Sequence, residues 1–218
     1  MLQRIIRVAY PGNQETATGR DRDSQSEHDY HELFHDIIEC LISALEAKDP
    51  YTCGHSSRVA DMSVDLAQAV GLKREDFDSI HIAAHLHDIG KIGVSENVLS
   101  KPGKLDAHEW EQIQSHPVTG YDILRKSRSL YKIAKIVLHH HERWDGKGYP
   151  TGLQGNTIPL GSRIIGVADA IDAMTTSRPY RGAMTWKDCY YEVQANKGKQ
   201  FDPMVAEAAE KLWDKWAG

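Results

Sequence analysis

The sequence predicts an all-α fold. Apolar residues recur at spacings of three and four in one segment after another. Helix caps and glycine or proline breaks separate those segments. No stretch alternates apolar and polar residues as a half-buried strand requires, and there is no internal repeat.

From about His31, the residues Leu33, Phe34, Ile37, Ile38, Leu41, Ile42 and Leu45 repeat at helical spacing, and Asp49-Pro50 stops the helix. A second helix is expected from about Gly54 to Val70, closed by Gly71. A third is expected from Arg74 through Leu86 to His87-Asp88, where Gly90 and Gly93 break the pattern. Asp106 and Glu109 form a capping box for a helix reaching about Arg125, with His116-Pro117 as a junction between two pieces. The next helix covers about Leu130–His141. Residues 143–161 are rich in glycine and form a long loop, a length more often functional than connective. Helices over Ser162–Met174, Thr185–Asn196 and Pro203–Trp216 complete the chain, with Thr185 as a cap.

The 218 residues suffice for one domain with its own core. Residues 11–28 are polar and charged, which makes residues 1–29 a flexible lead-in. No apolar run approaches the roughly 20 residues needed to span a bilayer, and the apolar start is too short for a secretory signal. Three cysteines, Cys40, Cys53 and Cys189, are too few for a disulfide framework, so a reducing cytoplasm is expected. A net charge of −5 argues against binding a nucleic-acid polymer. A small anionic substrate remains open, because a local metal charge can dominate the global one.

The 12 histidines are many for this length. His55, His87, His116, His140 and His141, with Asp88 and Asp169, make a ligand set of imidazoles and carboxylates without sulfur. That composition suits iron, manganese or zinc in a hydrolytic site better than a structural zinc site. The donors outnumber what one four-coordinate ion uses, which points to two ions. A two-metal centre makes hydroxide at neutral pH and clamps a phosphoryl group, so the set points to phosphoester hydrolysis.

Each member has a plain alternative. A lone His87-Asp88 pair reads as a core histidine and a helix-ending acid. Neighbours on a helix diverge by about 100°, so such a pair serves two ions side by side better than one. Among His139, His140 and His141, one is not expected to be a ligand. Asp169 sits in the apolar stretch Ile164–Met174, where a carboxylate is costly unless paired or metal-bound. Asp172, one turn on, is a candidate partner behind the ligands. Lys91 is either a phosphate contact or a surface residue. His81 and His85 have metal-capable spacing but lie on a packing helix. Trp144 and Tyr180 border these motifs and either stack on a base or pack.

Seven stretches occur together in a fixed order: GHSSRVA (54–60), AAHLHDIGKIGV (83–94), LSKPGKL (99–105), SHPVTGYDIL (115–124), HHERWDGKGYPTGL (140–153), IPLGSRIIGVADAIDAMTTSRPYR (158–181) and QFDP (200–203). In this the chain resembles an HD-GYP domain, a bacterial branch of the HD phosphohydrolase superfamily, over residues 30–218. The resemblance implies a helical HD bundle with an ordered GYP loop. It implies a cyclic di-GMP phosphodiesterase that uses a metal-bridging hydroxide and yields linear pGpG, or GMP beyond it. Position by position it assigns metal binding to His55, His87, Asp88, His116, His140, His141 and Asp169, with Asp88 bridging. It assigns catalytic roles to His87, Asp88 and Lys91, and substrate contacts to Lys91, Arg178, Arg181 and Tyr149. Gly148, Tyr149 and Pro150 form the GYP loop, which in the family lines the site and meets partners.

Two divalent transition metals are therefore expected, iron or manganese first, then zinc, nickel or cobalt. Members with three metals carry Glu four residues before the first ligand histidine; here that residue is Tyr51, which favours two metals and pGpG. His139, His81, His85, His28, His31, His35 and His108 match no ligand. The partners implied are a cyclic dinucleotide, a protein at the GYP loop and a second copy in a homodimer. Two other readings remain at this stage. One is hydrolysis of another nucleotide such as cyclic GMP–AMP; the other is a non-hydrolytic binding or docking module.

Overall fold

The computed structural model describes residue 33 and residues 36–48, 54–177 and 182–218. The expected lead-in over 1–29, the Asp49-Pro50 stop, Tyr51, Arg178, Tyr180 and Arg181 lie outside the described residues. Among the described residues the structure is helical, and the only strand-like feature is an isolated bridge between Lys197 and Phe201.

The chain runs through α1 (36–48), α2 (His55–Ala69), α3 (Arg74–His85), a 3₁₀ turn (Ile89–Gly93), α4 (Glu96–Leu99), α5 (Ala107–Gln114), α6 (His116–Leu124), α7 (Tyr131–Leu138), α8 (Leu160–Thr175), α9 (Trp186–Ala195) and α10 (Pro203–Ala217). Helix α8 is the axis of the bundle. Ile164, Ile165, Ala168 and Ile171 are fully buried, and α2, α3, α7, α9 and α10 all pack against it. A helix surrounded in this way is apolar over most of its circumference. Each isoleucine so buried contributes about 1.5–3 kcal/mol. The 3₁₀ turn leans on α6, and α6 leans on α7.

The local expectations hold at the caps. Asp106 accepts from the Glu109 backbone, and the Glu109 side chain accepts from the Asp106 backbone, closing the capping box. Pro117 does separate two helices, joined at Ser115. Thr185 caps α9.

Two helices end earlier than the periodicity predicts. α3 stops at His85, leaving His87 and Asp88 in a turn, and α7 stops at Leu138, leaving His139–His141 in a turn. The cause is local. His87 donates from Nδ1 to Ala84 O at 2.6 Å, and His140 donates from Nδ1 to Val137 O at 2.6 Å. The imidazole satisfies a terminal carbonyl that the helix ladder leaves open.

The QFDP stretch closes the bundle. Asp202 Oδ1 accepts from Met204 N at 2.7 Å and caps α10, while Oδ2 accepts from Arg163 of α8 at 2.5 Å. Asp202 is 3% exposed and the Arg163 side chain 12% exposed, so the pair is largely shielded from water. Asp202→Ala is therefore expected to lose a cap and strand a guanidinium, costing about 3 kcal/mol. Asp202→Asn keeps the cap and should cost less. Urea denaturation of the two variants checks this order.

Candidate metal centre

The site is assembled from chain segments far apart in sequence. Gly54, at φ 69°, turns the chain so that His55 becomes the first residue of α2, and Gly54 N donates to Glu46 of α1 at 2.9 Å. His87 and Asp88 follow α3, His116 opens α6, His140 and His141 follow α7, and Asp169 lies on α8. His55, Asp88, His87, His116 and His140 are all buried.

All seven predicted residues come together. His55, His87 and Asp169 form one group whose donor atoms lie within 4.8 Å of one another; His116, His140 and His141 form another, and Asp88 with His87 and His140 a third. Asp88 sits between the first two, with Oδ1 3.4 Å from His116 Nε2 and Oδ2 3.5 Å from His87 Nε2. Lys91 Nζ is 2.6 Å from Asp88 Oδ2.

The hydrogen bonds fix the tautomers. His87, His116 and His140 each donate from Nδ1 to the carbonyl three residues earlier, at Ala84, Ile113 and Val137. His55 donates from Nδ1 to Asp172 Oδ2 at 2.7 Å. A neutral imidazole with a proton on Nδ1 has a bare lone pair on Nε2. Yet Nε2 of His55 faces Nε2 of His87 at 3.3 Å, and Nε2 of His116 faces Nε2 of His140 at 3.3 Å. Two buried acceptors facing each other with no proton between them are unfavourable. A cation held between such pairs removes that cost, so the donor set fits divalent metal ions.

The electrostatics agree. Burial pushes His140 well below the ordinary imidazole value and His141 down to about 3, so both are neutral donors at pH 7. Burial acts upward on Asp88, but Lys91, His87, His116 and His55 outweigh it and hold the carboxyl well below its usual range. Asp169 is likewise lowered, against its burial, by His87, His55 and His141. Burial lowers His55 too, but the Asp172 hydrogen bond and the neighbouring carboxylates more than offset it.

The loop after α7 folds back over the centre. The Tyr149 ring lies against the His141 ring, with centroids 4.9 Å apart and planes 33° apart, and Tyr149 N donates to His141 O at 3.2 Å. Gly148 makes that return feasible, since a Cβ there would lie 2.4 Å from Arg143 N and 2.5 Å from His141 O. Glu142 Oε1 accepts from Thr151 N at 2.8 Å and Thr151 Oγ1 at 2.6 Å, pinning the far side of the loop. Burial and the Asp169 and Asp88 carboxylates raise the Tyr149 phenol, so it stays protonated and can donate.

Some predicted candidates lie elsewhere. The Nε2 atoms of His81 and His85 are 3.2 Å apart on α3, outside the three groups. His139 faces Glu142 and Thr151 rather than the cluster. Trp144, by contrast, lines one cavity with His140, His141 and Asp169, and the Arg163 guanidinium lies 5.7 Å from its ring centroid. Arg58 is a residue that the sequence reading passed over. It grips Asp172 behind His55, and its i+3 spacing from that histidine was the available signal.

A family profile described as HD domain matches residues 39–205. The chain belongs to the HD domain family. This HD domain is 40% identical over 190 residues to the 3'3'-cGAMP-specific phosphodiesterase 2 of Vibrio cholerae, covering 86% of this chain and 36% of that protein. It is 39% identical over 186 residues to a cyclic di-GMP phosphodiesterase of Thermotoga maritima, covering 84% of this chain and 50% of that protein. These relatives bear out the resemblance to the HD-GYP branch, and the chain spans half or less of their length. The crystal structure of the cyclic GMP-AMP-specific phosphodiesterase V-cGAP3 of Vibrio cholerae superposes with a TM-score of 0.62 at 21% identity, over 81% of this chain and 48% of that one. The PgpH HD domain of Listeria monocytogenes gives 0.57 at 19% identity, over 81% of this chain and 96% of that one. Both likenesses show a shared fold. No helix among the described residues of the HD domain is long and apolar enough to cross a membrane.

Proposed function

We propose that this HD domain is a metal-dependent phosphodiesterase that opens cyclic di-GMP to linear pGpG. One observation carries the reading: seven donors from distant segments converge, and four imidazoles are locked with their bare Nε2 atoms inward. His55, His87 and Asp169 would hold one ion, His116, His140 and His141 the other, and Asp88 would contact both. Iron or manganese suits this nitrogen and oxygen set. Bound ions of this kind supply Lewis acidity and a water nucleophile at neutral pH.

The chain's own residues bind and orient the substrate. The Lys91 ammonium, beside Asp88 and 17% exposed, is placed to offset charge on a phosphoryl oxygen. Tyr149 offers a protonated phenol at the same cluster. Arg178 and Arg181, by their place in the family motif, would hold the phosphates. No side-chain nucleophile is required. Tyr51, in place of a third-metal glutamate, favours two ions and a reaction that stops at pGpG. The GYP loop is proposed as a surface for a protein partner.

A second reading has its own support. Several relatives are named for 3'3'-cGAMP rather than cyclic di-GMP. The test gives the purified chain, loaded with iron or manganese, both cyclic dinucleotides side by side and separates the products by chromatography. Accumulating pGpG is expected. Cyclic di-GMP left intact with iron, manganese and zinc would reject the reading. Faster opening of cyclic GMP–AMP would move it to the second substrate, and GMP as the main product would reject the role given to Tyr51.

A further inference from the structure

The two halves of the centre differ in charge. The half formed by His55, His87 and Asp169 has a carboxylate of its own. Behind its His55 stands a second carboxylate, Asp172, accepting from Nδ1 at 2.7 Å. Asp172 is 3% exposed, and Arg58 holds it through Nε to Oδ1 at 2.5 Å and Nη2 to Oδ2 at 3.1 Å. The Arg58 side chain is 43% exposed, so water screens its charge more than that of the buried carboxylate. The half formed by His116, His140 and His141 has neutral donors only. Behind two of these stand backbone carbonyls, Ile113 O at 2.7 Å and Val137 O at 2.6 Å. Asp88 is common to both halves, and Lys91 draws on that shared carboxylate.

A divalent ion in the first half meets the full charge of Asp169, a share of Asp88, and an imidazole polarised by Asp172. An ion in the second half has only the share of Asp88 within its own donor group, and meets Asp169 from farther off, across His141. In a poorly hydrated site an extra negative charge at ligand distance is a large difference. A carboxylate behind a ligating histidine also makes it a stronger donor than a carbonyl does. We infer that the positions fill in order: the His55–His87–Asp169 position first and tightly, the His116–His140–His141 position second and exchangeably. Asp172, held by Arg58, is the positioning residue that sets this order. The inference rests on the metal-binding part of the proposed function. Its consequence is a state with one ion bound, at metal levels between the two affinities. In that state a two-metal reaction is off, so the second position makes turnover sensitive to metal supply.

The test titrates Mn²⁺ into the metal-free full chain without substrate, following free Mn²⁺ by electron paramagnetic resonance and the heat by calorimetry. Two one-ion steps are expected, separated by about tenfold or more. Asp172→Asn should weaken the first step by about 10–100-fold and leave the second. Asp172→Glu should keep both, and His141→Ala should remove the second and leave the first. In each variant the surviving step reports a folded chain. A single step taking both ions in the parent chain overturns the inference. So does Asp172→Asn weakening both steps alike, His141→Ala losing the tight step, or Asp172→Glu behaving as asparagine does. A chain that fills in this order yet leaves cyclic di-GMP intact keeps the inference and removes the proposed substrate. Hydrolysis by a chain that takes both ions in one step does the reverse.

Discussion

Asp88→Asn is expected to lower bound metal below two ions per chain and cyclic di-GMP turnover by about 10²–10³ or more. The carboxylate is 5% exposed and faces His116 at 3.4 Å, His87 at 3.5 Å and Lys91 at 2.6 Å. It faces ligand histidines of both halves of the centre. An amide of the same shape fills the same space, so the helices around it need not move. What it removes is the charge that offsets the Lys91 ammonium and would offset two divalent ions in a buried site. Elemental analysis of the purified variant, with product chromatography, checks both parts. A variant that binds two ions as readily as the parent would show that Asp88 does not bridge the centre. Its helical circular dichroism should match that of the parent, which separates loss of metal from loss of fold.

The parts of this site that were readable in the sequence are those with a local signature. The Asp106–Glu109 box, the break at Pro117 and the apolar period of α8 each follow from residues a few positions apart, and the structure contains all of them. The seven donors were legible chiefly through the ordered motifs that resemble an HD-GYP domain; Asp169 alone also stood out as a carboxylate in an apolar stretch. The ends of α3 and α7 were misread because hydrophobic period continues through His87 and His140. The period carries no sign that a ring nitrogen will take the last carbonyl. Arg58–Asp172 is separated by 114 residues and Arg163–Asp202 by 39, so neither pair leaves a pattern in a sequence window. The histidine caps are the most informative of these omissions. The contact that stops the helix also sets the tautomer and turns Nε2 inward, so fold and chemistry share one hydrogen bond.

Gly90→Ala is expected to destabilise the chain by more than about 3 kcal/mol and to disable the His116 half of the centre. Gly90 does not need a left-handed backbone, since its φ is not positive. Its role is close approach: a Cβ there would lie 1.9 Å from His116 O, 2.8 Å from His116 C and 2.6 Å from Gly120 N. All three are backbone atoms of α6, so no side chain can rotate away to make room. The 3₁₀ turn and α6 would have to separate, and His116 would move off Asp88 with them. Gly120→Ala is the control within the same contact. Its Cβ would meet the Val137 and Ile89 side chains at 3.1 and 3.3 Å, which can give by a few tenths of an ångström. That variant should cost about 1 kcal/mol and keep its metal. Urea denaturation of both variants, read beside their Mn²⁺ stoichiometry, checks the contrast. Equal stability of the two would show that the turn and α6 are not held in backbone contact. Full Mn²⁺ uptake by Gly90→Ala would show that the glycine in the His-Asp turn serves folding alone and does not place His116.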